Sequence, residues 1–390
     1  MNKINTSTLR PGQIFSAPVF SEGENLLVPA MAPLRKKEID LLASWGIDFV
    51  LTEGKVIATD KEVEEADENI TTPAKKTPIK FSISDVQHNS GPYRTYRGFI
   101  ERVDSIFTAI SSGVDVDMRS IDNVTVKLLQ EVRDHSNSFV DYILGGEVTG
   151  RELAKSSVNT AILSALTAQE LKLPNHKILN IVAGALLHDI GMIRLSKGIT
   201  QKKGGLSDAE LEQIKSHPLH SSKIVTRELF GPHEVNLIAL HHHERWDGKG
   251  YPDHIIGPAI DMGARIVSVA DAFEAMVSKK SYRNSMLGYQ AVKNLLADNA
   301  RRFDPAVIMA FTKIMGIYPI GSIVRLNDGS VARVVNVHSD APLRPVVLML
   351  ISKTGKFLRP GEGETIDLLS VRSLFIKNAI DPEEFNAENG

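Results

Sequence analysis

Six side chains in the middle of this 390-residue sequence are of types that bind metal ions: His188, Asp189, His217, His242, His243 and Asp271. Imidazole and carboxylate are both metal-ligand groups. Four histidines and two aspartates, each beside an apolar segment, suffice to enclose two cations. A carboxylate has two oxygens, and Asp189 is the natural bridge. Asp271 sits inside the apolar run 267–273, where an unpartnered carboxylate is costly to bury. The chemistry such a set supports is metal-assisted: bound cations would polarise a substrate oxygen, acidify a water and orient the reacting groups.

The elements that must position these groups are readable. Residues 183–191 are an apolar helical run that finishes on His188 and Asp189, with Gly191 expected to take the left-handed conformation that closes a helix. His217 precedes Pro218, His242 and His243 are adjacent and followed by Glu244, and a turn-rich loop, residues 247–252, comes directly after them.

Composition narrows the class. The formal net charge of −2 argues against general DNA binding or attraction to a membrane surface. The chain has no cysteine, so any metal must be held by nitrogen and oxygen, and the same absence fits a reducing cytoplasm. No signal-peptide pattern follows Met1, and no apolar run reaches the roughly 18 residues of a membrane span.

The chain divides by pattern. Residues 1–65 read as a small α/β domain, with strands near 13–20, 26–28 and 49–51. Between them residues 36–45 have helical spacing, with Ile39, Leu41, Leu42 and Trp45 apolar. Residues 66–140 read as a linker, from its charges and from Pro73 and Pro78, followed by connecting helices. Those helices either pack on the metal domain or pair in a homodimer. Residues 141–318 form the helical metal domain. Residues 319–390 switch to β, with a hairpin turning at Asn327, Asp328 and Gly329, and end in an acidic tail. The fold class is mainly α, with a small N-terminal α/β domain and a small C-terminal β segment.

Taken together, His188-Asp189-Ile190-Gly191, His217-Pro218, His242-His243-Glu244-Arg245, Asp247-Gly248-Lys249-Gly250-Tyr251-Pro252 and Asp271 resemble the HD-GYP family. This is a subgroup of the HD-domain metal-dependent phosphohydrolases. The region 1–65 and the β segment also look like flanking domains of some members, the first of unknown role. The resemblance implies an HD-type helical bundle, a centre of two or three metals, usually iron or manganese, and hydrolysis of cyclic di-GMP to linear pGpG or on to GMP. Some members act on related cyclic dinucleotides. It implies that His188 and Asp189 supply one metal edge, with Asp189 bridging. His217, His242 and His243 hold the second metal, Asp271 is the far ligand of the first, and Glu152 is an early acidic ligand. Lys280, Arg283 and Lys202 match positions of basic phosphate contacts. The loop Gly250-Tyr251-Pro252 matches one associated with partners, including the GGDEF-type cyclases that make the same messenger.

Three positions depart from the family pattern. Ser156 stands where trinuclear members have a histidine, Met192 where many have a lysine, and Glu274 where an aspartate is usual. Two divalent ions, iron or manganese, are therefore expected rather than three. The loss of the lysine raises the alternative of a weak or inactive member that acts as a cyclic dinucleotide sensor or partner-binding scaffold.

Overall fold

The computed structural model describes residues 2–21, 26–28, 34, 39, 42, 47–57, 91–145, 150–200, 202, 204–278, 286–298, 301–358 and 362–381. The chain forms two compact units: residues 84–314, and a unit built from residues 1–83 together with 315–390.

The unit made from the two chain ends is β-rich. Its N-terminal part has β1 (Asn2–Asn5), β2 (Ile14–Phe15), β3 (Val19–Phe20), β4 (Leu26–Val28), β5 (Phe49–Thr52) and β6 (Val56–Ile57). Four strands pair in the order β1-β5-β3-β4, and β2 pairs with β6. Of the helix expected over 36–45, only Ile39 and Leu42 are among the described residues; both are helical and Leu42 is buried. The expected linker, with Pro73 and Pro78, lies outside the described residues.

The C-terminal part has β7 (Ile323–Leu326), β8 (Val331–Asn336), β9 (Val346–Ile351), β10 (Thr365–Asp367) and β11 (Ile376–Ile380), in the order β10-β9-β8-β7-β11. The expected hairpin is there: Arg325 pairs with Val331, Leu326 N donates to Ser330 O, and Gly329 has φ of 88°. That left-handed value is what glycine supplies to such a turn. Ile323, Val331, Ile351 and Ile380 pack as one apolar cluster. The rings of Phe49 and Phe375 meet edge-on at 5.6 Å, joining the two halves of this unit. Neither half alone has the apolar area of a larger sheet, which is a physical reason for them to combine.

The second unit is helical. It comprises α1 (Gly91–Ser111), α2 (Met118–Gly145), α3 (Glu152–Glu170), α4 (Asn175–Leu187), α5 (Lys197–Thr200), α6 (Asp208–Lys215), α7 (His217–Lys223), α8 (His233–His241), α9 (Met262–Val277), α10 (Gly288–Ala297) and α11 (Pro305–Met315). It thus takes in the two helices that the sequence pattern sets in the connecting segment. Their apolar stripes explain this: Phe99, Ile100, Val103, Ile106 and Phe107 of α1 and Leu128, Leu129 and Val132 of α2 are buried. Helix α2 breaks at His135, whose φ is −136°.

Helix α3 is the centre of the bundle, buried on all sides from Ser156 to Ala168. A helix apolar or small all round can occupy only such a place. Two glycines bring the site-bearing helices together at Ile238 of α8. A Cβ on Gly184 of α4 would lie 2.7 Å from the Ile238 side chain, and one on Gly263 of α9 would lie 2.6 Å from it. Among the described residues, no helix is long and apolar enough to cross a membrane.

Candidate metal centre

Helix α4 ends at Leu187, with His188 as its last αR residue. The chain then tightens into a 3₁₀ turn, Ile190–Arg194. Gly191 does not take the left-handed conformation expected of it. It serves instead as a point of close approach: a Cβ there would run into the carbonyl oxygen of His217. The contact sets the start of α7, and hence His217, against the His188–Asp189 turn. Ser221 fastens it, donating from Oγ to His188 O at 2.7 Å and accepting from Gly191 N at 2.9 Å. His242 and His243 follow the end of α8, and Asp271 projects from the middle of α9.

These elements bring the six side chains together as two groups sharing one member. Asp189, His217, His242 and His243 can each offer a ligand atom within 4.8 Å of the others, and so can His188, Asp189 and Asp271. The two oxygens of Asp189 face different groups. Oδ1 lies 2.9 Å from His217 Nε2 and 3.6 Å from His242 Nε2, while Oδ2 lies 3.5 Å from His188 Nε2. Asp271 Oδ1 is also 3.5 Å from His188 Nε2. This is the arrangement of a bridging carboxylate.

The histidines are oriented for metal. Nδ1 of His188, His217 and His242 lies 2.7, 2.7 and 3.1 Å from the carbonyls of Ala185, Ile214 and Ala239. A carbonyl only accepts, so each Nδ1 carries the proton, and in the neutral ring Nε2 presents a lone pair. Those lone pairs converge. His217 Nε2 and His242 Nε2 stand 3.2 Å apart, and buried His188 Nε2 has no hydrogen-bond partner. Opposed lone pairs and an orphaned buried nitrogen beside two carboxylates fit cations.

Electrostatics agree. Burial alone would lower the His188 pKa, but the carboxylates of Asp189 and Asp271 push it up to about 9. Burial opposes ionisation of Asp271, yet His188 draws it down to about 2. Asp189 lies well below the usual carboxylate range despite its burial, because His188 and His217 flank it. His243 is held well below an ordinary histidine by burial and by its neighbour His242, so it stays a neutral ligand.

The loop after the histidine pair is built around Glu244. Its buried carboxylate accepts from Asp253 N at 2.6 Å and Ile255 N at 3.1 Å. His241 Nε2 reaches Asp253 Oδ2 at 2.9 Å, and Arg245 grips Asp247 with Nε and Nη2. A Cβ on Gly250 would strike the backbone of residues 243–245, so only glycine lets the loop fold back this closely. The peptide before Pro252 is cis, and the Tyr251 ring lies on His243 with centroids 4.9 Å apart. Tyr251 is therefore half-buried against a candidate ligand.

Other expected positions are placed differently. Glu152 is exposed in the first turn of α3, where its Oε1 accepts from Gly150 N at 3.3 Å, and it belongs to neither group. Lys202 Nζ is paired with both oxygens of Glu210, which also closes a capping box with Ser207 at the start of α6. Lys280 and Arg283 lie outside the described residues. Met192 is half-buried in the 3₁₀ turn beside Asp189. Ser156 donates to Glu274 Oε2 at 2.7 Å, so these two departures from the family pattern meet. Ser221 and Asn159 escaped the sequence reading, because a hydroxyl or amide in an apolar helix carries no ligand signature.

Comparison with known proteins gives the family. A profile described as an HD domain matches residues 148–307, and one described as a KOW domain associated with HD domain matches residues 323–388. The cyclic di-GMP phosphodiesterase PdeB of Borreliella burgdorferi is 26% identical over 93% of this chain and 91% of its own length. A cyclic di-GMP phosphodiesterase of Pseudomonas aeruginosa is 27% identical over 85% of this chain and 77% of its own. The cyclic di-GMP phosphodiesterase response regulator RpfG of Xanthomonas campestris is 36% identical over 39% of this chain and 40% of its own. The HD-domain match spans the converging ligands, and these relatives are all named cyclic di-GMP phosphodiesterases, which supports the HD-GYP family.

Proposed function

We propose that this chain is a metal-dependent phosphodiesterase that hydrolyses cyclic di-GMP with water. The observation that carries the reading is the split of Asp189, one oxygen toward each of two ligand groups. The similar proteins named above as cyclic di-GMP phosphodiesterases supply the substrate.

Two divalent cations bound here would neutralise the phosphodiester oxygens and supply a water acidic enough to attack at neutral pH. The protein's part is positional. Asp189 presents one oxygen to each ligand group and so would set their spacing. The Nδ1 donations to Ala185, Ile214 and Ala239 fix three imidazoles so that no ring rotates away during turnover. His188 and His242 are fully buried, which strengthens every charge interaction at the centre. Hydrolysis breaks one phosphorus–oxygen bond of the ring and adds water across it, giving linear pGpG. Cleavage on to GMP would need a second attack, on the remaining phosphodiester of the linear product.

Iron or manganese suits a nitrogen and oxygen donor set without thiolate. Lys280 and Arg283 are assigned to the substrate phosphates. Lys202 joins them only by leaving Glu210, and an exposed ion pair is worth at most about 1 kcal/mol. Glu152 is kept as an outlying acidic ligand that would have to turn from Gly150. The Gly250-Tyr251-Pro252 loop is the contact for a cyclase partner, homodimerisation is the assembly, and the cytoplasm is the compartment.

The test is product analysis. Protein purified without oxygen and loaded with iron(II) or manganese(II) is expected to convert cyclic di-GMP to pGpG, and Asp189→Ala to be inactive. Tight binding of the dinucleotide with no product would replace the enzyme reading by a sensor or scaffold.

A further inference from the structure

Glu274 lies one turn beyond Asp271 on α9 and is 1% exposed. Its carboxylate belongs to neither ligand group. Both of its oxygens are engaged by side chains. Ser156 Oγ of α3 donates to Oε2 at 2.7 Å. Asn159 Nδ2 of α3 and Ser278 Oγ at the end of α9 donate to Oε1 at 3.1 and 2.5 Å. Asn159 is held in turn by the Tyr96 hydroxyl of α1, which donates to its Oδ1 at 2.7 Å. That donation fixes the amide with its NH₂ toward Glu274. Ser156, Asn159, Ser278 and Tyr96 are all buried.

We propose that Glu274 is a positioning residue for Asp271, locking α9 against α3 so that the His188–Asp189–Asp271 group grips its cation while the other group is left alone. The inference rests on the metal reading above. A carboxylate this deep is tolerable only with donors around it, and the donors are equally costly to strand. Carboxylate and donors therefore have one mutually satisfied geometry, which pins the helix. Residues three apart share a helix face, so a slip of α9 against α3 moves Asp271 with it. Asp271 Oδ1 and His188 Nε2 are 3.5 Å apart, and a shift of a fraction of that spoils a shared ligand position. The second group takes His217 from α7, His242 and His243 from just after α8, and the shared Asp189 from the turn after α4, none of them on α3 or α9. The effect is therefore one-sided.

The test is stepwise manganese(II) titration of the full metal-free chain, reading free manganese by electron paramagnetic resonance. The wild type is expected to show two sites, and Asp271→Ala to lose one of them. Glu274→Ala should weaken that same site about tenfold or more and leave the other within about twofold. Glu274→Gln should restore most of the affinity, because its amide oxygen still accepts from Asn159 and Ser278 and its NH₂ can donate to Ser156 Oγ. Should Glu274→Ala not fold, Ser156→Ala carries the test, with a smaller loss at the same site only. Equal weakening of both sites, no change at either, or failure of glutamine to restore would overturn the proposal. A wild-type chain that binds no manganese would overturn the metal reading itself, and this inference with it.

Discussion

His188 shows how one residue can be a cation without metal and a neutral ligand with it. Its Nδ1 proton is committed to Ala185, so the titrating position is the Nε2 that faces Asp189 and Asp271. Those carboxylates outweigh burial and raise its pKa from 6.5 to about 9. A raised value means that the charged ring stabilises the metal-free fold. That contribution is complete below pH 6.5 and is lost as pH rises through about 9. A metal must displace the proton. Metal uptake at about pH 7.5 is therefore expected to release protons, with the release falling off as pH rises past about 9. Calorimetry in buffers of different ionisation enthalpy measures it, and His188→Gln should abolish most of the release. Ligand types were legible in the sequence because four histidines and two aspartates recur together beside apolar runs, and an unpartnered aspartate there is costly to bury. Asp189 was also expected to bridge. The histidine tautomers were not legible, because they depend on which carbonyls the fold brings near.

At the scale of elements, the site is held by close approaches that a residue pattern does not announce. Gly191 looked like a helix terminator, because glycine commonly closes helices. The structure uses its missing side chain instead, so that α7 can lie against the turn after α4. Gly191→Ala forces the His217 carbonyl aside. It should cost about 1–3 kcal/mol, as overpacking does, and should reduce manganese bound per chain. Thermal melts with and without metal, plus elemental analysis, check both. Unchanged stability and metal content would mean that the turn is slack. Glu244 is the corresponding hinge of the loop. Glu244→Ala strands the amides of Asp253 and Ile255, at a cost of about 1–3 kcal/mol. It should free Tyr251 from His243, read as a rise in tyrosine accessibility to iodination. The β-hairpin at Gly329 was legible because Asp-Gly between apolar runs has a local cause. The helices of residues 91–145 showed their apolar stripes plainly, but which surface they cover is a long-range fact.

The whole molecule places every candidate ligand of the two groups in the helical unit, residues 84–314. The β-rich unit, drawn from both chain ends, holds none of them. Metal should therefore stabilise one unit and not the other. For a cation at a hundred times its dissociation constant the gain is about 2.7 kcal/mol. Differential scanning calorimetry is expected to show two transitions, with a chelator lowering only one midpoint. A chelator that moves both equally would mean that the units unfold together. The joining of residues 1–83 with 315–390 was not legible, since one end reads as a small α/β domain, the other as a small β segment, and nothing local says that they combine.

The most direct measurement titrates manganese(II) into metal-free protein while following cyclic di-GMP hydrolysis. If Asp189 bridges two catalytic cations, turnover stays low through the first equivalent, rises through the second and then levels. Asp189→Ala stays inactive throughout. Full turnover at one equivalent, or activity that survives the loss of Asp189, would contradict the account.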